Sequence, residues 1–142
     1  MLRLVIIWIH VVAASVWVGG LFCGGHLVLP AAGRGARDAL SLLARARLVA
    51  WAAVGLLVVT GLLNLRGMGM AGPWLATKIL IVLVVLALAA HRDFAVLPRA
   101  IRAIDDGAAP SAALAGVRAL DRILLLLAVI VLFLAVGVAR GR

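Results

Sequence analysis

The chain has 142 residues, of which 67% are hydrophobic and 13% charged, and its mean hydropathy is +1.27. A soluble domain averages about 45–50% apolar and about 25% charged residues, so this composition excludes an ordinary soluble globular protein. The formal net charge of +9 does not indicate nucleic-acid binding. The arginines flank apolar segments, where they act as topology signals and contact lipid headgroups.

Four apolar segments follow one another, each close to the length of about 20 residues that crosses a bilayer as a helix. We predict helices over residues 4–30, 38–65, 74–96 and 111–139. The predicted fold is an all-α integral membrane four-helix bundle, with residues 1–142 as one transmembrane domain. Because proline disfavours a helical residue before it, Pro98 predicts that the third helix ends near Val96. Residues 99–104 then form a short amphipathic turn at the membrane interface.

Basic residues predict the orientation of the bundle. The connections after the first and third helices, with the helix ends beside them, carry nine arginines: Arg34, Arg37, Arg45, Arg47, Arg92, Arg99, Arg102, Arg118 and Arg122. The opposite side carries five basic residues: Arg3, Arg66, Lys78, Arg140 and Arg142. The positive-inside rule therefore places both termini on the periplasmic side of a bacterial-type inner (plasma) membrane. Trp51 falls at the inner interface, where tryptophans are enriched.

Three histidines lie in or beside these apolar segments. His10 and His26 belong to the first helix, and His91 ends the third apolar segment. An ionisable side chain at membrane depth is unfavourable and marks a ligand, proton or redox site, although it also serves as a packing residue that hydrogen-bonds a neighbouring helix. On a helix His10 and His26 are about 160° and about 24 Å apart, so they cannot bind the same metal ion.

The predicted topology therefore separates the polar residues into two groups. His10 belongs with Lys78, Asn64 and the Met68–Met70 connection on the outer side, and His26 belongs with His91 and the arginines on the inner side. Thioether and imidazole ligands suit copper, and thioethers select Cu(I). The predicted metal ligands are His10, Met68, Met70, His26 and His91. The inner carboxylates, Asp93 and Asp121, neutralise a basic surface as exposed ion pairs in the simplest interpretation.

The order of several short motifs resembles the copper-resistance protein D (CopD) family of four-helix membrane proteins over almost the whole chain. The matching elements are His10 with Trp17-Val18-Gly19-Gly20 and Pro30, Arg45 and Arg47, Thr60-Gly61, Trp74 with Lys78, and His91-Arg92-Asp93-Phe94 with Pro98-Arg99. The resemblance implies a non-enzymatic protein that binds or passes copper, for resistance, uptake or delivery to a cuproenzyme. It implies that His10 is a ligand, and that Lys78 and Arg99 are positioning or structural residues.

The chain is also similar, more weakly, to the HemJ-type protoporphyrinogen IX oxidases, through His10, Trp17, Gly20-Leu21, Trp74-Leu75 and Lys78. That resemblance implies haem b and an oxidoreductase activity, although an Asn-Glu pair of the family is replaced by Asp121-Arg122. An inner haem would use His26 and His91, and an outer haem His10 and a methionine. Lys78 and inner arginines such as Arg45 and Arg99 would pair with the propionates.

Two further expectations concern assembly. Gly20 and Gly24 share the face of His10 and have the GxxxG spacing that lets another helix approach closely, which predicts a homodimer through this face of the first helix. If the histidines only pack against neighbouring helices, the protein is instead a structural or assembly subunit.

Overall fold

The computed structural model describes residues 1–65 and 73–140, and its regular structure there is entirely helical. Four spanning helices follow in order: α1 over Leu2–Gly33, α2 over Arg37–Leu65, α3 over residues 73–105 and α4 over residues 110–140. Each is long and apolar enough to cross a membrane. The prediction of an all-α membrane four-helix bundle is therefore confirmed. We call the end with both chain termini the terminal end, and the end with connections 34–36 and 106–109 the loop end.

A wide turn in α1 allows that helix to pass through a proline. Residues Gly24–Val28 form a π-helical turn, and the N–H of Leu29 bonds to the carbonyl of Gly24 rather than to the carbonyl four residues earlier. Pro30 follows directly. In a regular α-helix a proline ring contacts the carbonyl four residues earlier and cannot donate a hydrogen bond. The wide turn displaces these carbonyls, so α1 continues to Gly33.

The third spanning helix repeats this arrangement. The π-helical turn Arg92–Val96 precedes Pro98, and the helix continues as Leu97–Asp105. The prediction that Pro98 ends the helix near Val96 is therefore wrong, because the wide turn before Pro98 accommodates the proline ring within the helix. Residues 99–104 are consequently helical and extend α3 rather than forming a separate turn.

Both of these helices end in the same way. Gly35 and Gly107 have φ values of 91° and 96°, a left-handed conformation in which a Cβ atom is unfavourable. The N–H that follows each glycine bonds back to a carbonyl in the last helical turn, from Ala36 to Ala31 and from Ala108 to Ala103. These bonds define a Schellman motif, which satisfies carbonyls that the helix leaves unpaired.

The wide turns, prolines and terminal glycines show that the bundle repeats one helical hairpin. The α1–α2 hairpin corresponds to the α3–α4 hairpin. The interval between Pro30 and Pro98 also separates Leu29 from Leu97 and Ala32 from Ala100, and all four of these apolar residues are buried. The same interval separates His10 from Lys78. The two polar residues therefore occupy equivalent positions in the two hairpins.

Contacts between the hairpins follow the same correspondence. Gly25 of α1 packs against Asp121 of α4. Asp93 occupies in α3 the position that Gly25 occupies in α1, and its backbone carbonyl accepts a hydrogen bond from Arg47 of α2. The core has two layers that each draw on all four helices. The layer nearer the middle contains Trp17, Ala53, Val54, Val85, Ala89, Leu124 and Ala128. The layer at the loop end contains Leu29, Ala32, Leu43, Leu97, Ala100, Leu114 and Val117.

Candidate functional site

The half-buried side chain of His10 connects α1 to α2. Its Nδ1 lies 2.8 Å from Thr60 Oγ1, and that hydroxyl lies 2.5 Å from the carbonyl of Leu56. A hydroxyl has one hydrogen, and the carbonyl can only accept, so Thr60 donates to Leu56. His10 Nδ1 must then donate its hydrogen to Thr60 Oγ1. The neutral ring therefore carries its proton on Nδ1, and Nε2 keeps a lone pair for a ligand.

The surroundings of His10 are tight on one side and positively charged on another. The ring packs against α2 at Gly61, since His10 Cε1 lies 3.5 Å from the position of a Cβ added to that glycine. The half-buried ammonium of Lys78 is near enough to interact electrostatically with the ring. Among the described residues, Lys78 has no ion-pair partner, because the aspartates, which are the only acidic residues of the chain, lie toward the loop end.

His10 is directed into the bundle, toward α2, while its predicted neighbours are only partly described. Asn64 is half-buried on the same helix as Thr60, but no hydrogen bond joins it to His10 within residues 1–65 and 73–140. Met68 and Met70 lie outside the described residues. Thr60, which the Thr60-Gly61 motif of the sequence already included, is the polar residue that His10 contacts.

The two inner histidines are exposed and point to no shared site. His26 donates from Nδ1 to the Phe22 carbonyl at 3.1 Å, and its ring stacks on Phe22 with the ring centroids 4.5 Å apart. His91 is exposed, as are Arg45 and Arg99. The part of the chain that the structure describes contains no group of three or more His, Cys, Asp or Glu side chains able to hold a metal ion. An inner station built on these histidines therefore stays a prediction.

A buried ion network crosses the loop half of the bundle. Asp93 and Asp121 are only 5% and 3% exposed, and Arg92 lies between them. Arg92 Nη1 is 2.5 Å from Asp93 Oδ1, and Arg92 Nε is 2.8 Å from Asp121 Oδ1. The prediction of exposed surface pairs is wrong. Asp121 is covered in part by α1, where it packs against Gly25: its Cβ lies 3.6 Å from the position of a Cβ added to that glycine.

The network extends to α2 through two further donors. Trp51, predicted at the inner interface, donates from Nε1 to Asp93 Oδ2 at 2.9 Å. Arg47 Nη1 donates to the backbone carbonyl of Asp93 at 3.3 Å. With Arg47 included, two arginines accompany two aspartates, so the buried carboxylates are electrically compensated. This network links α2, α3 and α4 and is a polar core of the bundle.

The helix-1 glycines differ in their surroundings. Gly24 is buried and packs against Leu43 of α2, whereas no atom approaches the open side of Gly20 within 4 Å. A homodimer through this helix stays a prediction, and it would use Gly20 rather than Gly24. Comparison of the chain with family models, curated proteins and solved structures gives no match.

Proposed function

We propose that the protein binds copper within the membrane and passes it on, as the resemblance to the CopD family implies, with His10 as the central ligand. The observation that supports this proposal is the hydrogen bond from His10 Nδ1 to Thr60 Oγ1, at 2.8 Å. Metal-ligating histidines almost always donate their other ring N–H to an acceptor, usually a carboxylate, a backbone carbonyl or a water, which fixes the tautomer and the ring orientation, and the Thr60 hydroxyl can have the same effect. His10 thus has the bonding of a ligand before any metal arrives.

The remaining ligands of this copper site are proposed from the chain connectivity. The last turn of α2 ends at Leu65, about 7.5 Å along the helix axis from Thr60. The connection that carries Met68 and Met70 begins directly after it. Thioethers are soft ligands that select Cu(I). His26 and His91, both exposed near the loop end, are the proposed contacts at the opposite side of the bundle.

The copper proposal is tested by titrating Cu(I) into the purified protein against a competing chelator. We expect His10→Ala and the double variant Met68→Leu/Met70→Leu to weaken Cu(I) binding. Thr60→Val is expected to weaken it by about 10–100-fold, because outer-shell partners contribute that much to metal affinity. Thr60→Ser keeps the hydroxyl and serves as the matched control. Unchanged Cu(I) affinity in both His10→Ala and the methionine variant would contradict the proposal.

A second candidate function is favoured by the charge around His10. A copper ion would add positive charge beside Lys78, whose region contains no described carboxylate. Haem b instead brings two propionates, and a lysine ammonium binds a carboxylate strongly. We propose, as the alternative that the HemJ resemblance implies, that His10 would hold the haem iron through Nε2 and that Lys78 would pair with a propionate. The haem would supply one-electron redox chemistry.

Haem binding is tested by the Soret absorption of protein expressed with a haem precursor. We expect His10→Ala to abolish the band if haem lies at the terminal end, and His26→Ala and His91→Ala to leave it. Lys78→Gln should weaken haem retention by about 10–100-fold, because a hydrogen bond to a charged group contributes about 1.5–3 kcal/mol, and Lys78→Arg should retain it. A protein without a Soret band contradicts the haem proposal, and one that binds neither haem nor Cu(I) contradicts both proposed functions.

A further inference from the structure

A cleft opens between α1 and α4 near the loop end, away from His10. Its volume is about 210 Å³. Its walls include apolar side chains from both helices and four ionisable ones, namely Leu21, Leu125, His26, Arg118, Asp121 and Arg122. The proposed copper and haem sites at the terminal end lie outside this cleft, which shares with the proposed function only His26, the proposed copper contact at the opposite side of the bundle.

The charge of the cleft is positive. Arg118 and Arg122 lie one turn apart on the same face of α4. Asp121 also lines the cleft, but Arg92 pairs with it through Nε at 2.8 Å and Nη2 at 3.1 Å. Arg118 donates one hydrogen bond to the Ser111 carbonyl. Arg122 forms no hydrogen bond or ion pair with any residue that the structure describes, so it has donors for an anion.

His26 adds a hydrogen-bond acceptor at the edge of the same cleft. Its Nδ1 donates to the Phe22 carbonyl, because a carbonyl can only accept. The neutral ring therefore keeps its lone pair on Nε2, which can accept a hydrogen from a hydroxyl group. The cleft thus combines donors for an anion with an acceptor for a neighbouring hydroxyl.

The surface next to the cleft is apolar and faces the lipid. Phe22 of α1 is 52% exposed and Leu126 of α4 is 63% exposed. A free phosphate ion would gain nothing from contact with these apolar side chains, whereas the acyl chains of a lipid would pack along them. The positive-inside rule also places the loop end at the cytoplasmic leaflet, whose anionic lipids bind basic pockets between transmembrane helices.

We propose that this cleft binds one anionic phospholipid, independently of the function proposed for His10. The phosphate would lie between Arg118 and Arg122, a hydroxyl of the headgroup would donate to His26, and the acyl chains would lie along Phe22 and Leu126. Phosphatidylglycerol has this combination of a phosphodiester and free hydroxyls.

The proposal is tested with the full-length protein in a neutral detergent, by native mass spectrometry of lipid adducts. Phosphatidylglycerol and phosphatidylcholine with identical acyl chains are compared. We expect one phosphatidylglycerol to be retained preferentially. Arg122→Gln should weaken its binding by about fivefold, and Arg118→Gln/Arg122→Gln by about 30-fold, from the usual contribution of one basic residue near an anionic membrane surface.

Arg99→Gln/Arg102→Gln is the matched control, because both arginines are exposed near the loop end but do not line the cleft. It should bind phosphatidylglycerol like the unmodified protein. Equal loss in both double variants would show that the lipid responds only to the overall surface charge and would overturn the proposal. Unchanged binding in Arg118→Gln/Arg122→Gln would overturn it too. Displacement of the lipid by millimolar inorganic phosphate would show that the cleft takes free anions instead.

Discussion

Replacing Arg92 with leucine is expected to lower the free energy of unfolding by about 3–5 kcal/mol, the usual effect of removing one partner from a buried ion pair. Asp93 and Asp121 are 5% and 3% exposed, so water cannot replace the guanidinium. Arg47 compensates only one side, because its described hydrogen bond goes to the Asp93 carbonyl. Both buried carboxylates would then lose the ion pairs that the described residues provide.

This loss is expected to exceed that of any single neutral hydrogen bond in the bundle. Interhelical hydrogen bonds of membrane proteins average about 0.6 kcal/mol, which is the scale for the bond from His10 to Thr60. The measurement is a reversible unfolding titration with dodecyl sulfate in mixed micelles. Arg99→Leu, an exposed arginine on the same helix, is the control and should change the free energy by no more than about 0.5 kcal/mol. Equal effects of Arg92→Leu and Arg99→Leu would contradict a stabilising role of the network.

A triple variant separates the charge effect from the packing effect. Arg92→Leu/Asp93→Leu/Asp121→Leu removes all three charges and fills the space with apolar side chains, a replacement that is often neutral or stabilising. We expect it to recover most of the loss seen in Arg92→Leu. About 1 kcal/mol should remain lost, because Trp51 Nε1 would no longer have the acceptor Asp93 Oδ2.

The number and class of the helices follow from the sequence because lipid imposes a single requirement, an apolar run long enough to span the hydrocarbon. The continuation of α3 past Pro98 does not follow from that requirement. It depends on the wide turn Arg92–Val96, and proline alone signals only a probable helix boundary. A repeated signal was nevertheless present, since Val28-Leu29-Pro30 recurs as Val96-Leu97-Pro98. That repeat would have indicated that both prolines have the same local structure.

For the polar residues, too, some features could be predicted from the sequence and others could not. The orientation of His10 toward the bundle could be predicted, since its helix face also carries Ala13 and Trp17, which are buried. The proton position on its ring could not, because it depends on the short hydrogen bond from Thr60 to Leu56. The burial of Asp121 was equally hidden. It depends on packing against a different helix, where Asp121 lies next to Gly25, and linear charge patterns carry no information about that contact.

Replacing Leu124 with alanine is expected to lower the free energy of unfolding by about 2–3 kcal/mol. Leu124 is completely buried among the residues of the middle core layer, of which Ala53, Ala89 and Ala128 are too small to move into the vacated space. In the core of a soluble protein, a leucine-to-alanine replacement lowers the free energy of unfolding by up to about 5 kcal/mol. The loss combines the transfer free energy of the removed atoms with the free energy of the cavity that they leave. In a membrane the transfer term is largely absent, because lipid is as apolar as the core, and the lost packing remains.

Leu126→Ala is the matched control for this expectation, because Leu126 lies two residues further along α4 and is 63% exposed. Acyl chains adapt to the shorter side chain, so we expect a change of no more than about 0.5 kcal/mol. Both variants lose the same atoms from the same helix, so helix propensity cancels in their comparison and only the packing environment differs. If the dodecyl sulfate titration gave equal losses, Leu124 would face lipid and the four helices would not share the middle core layer. A large difference would instead show that the two hairpins pack against each other through the middle core layer, in which Leu124 is buried.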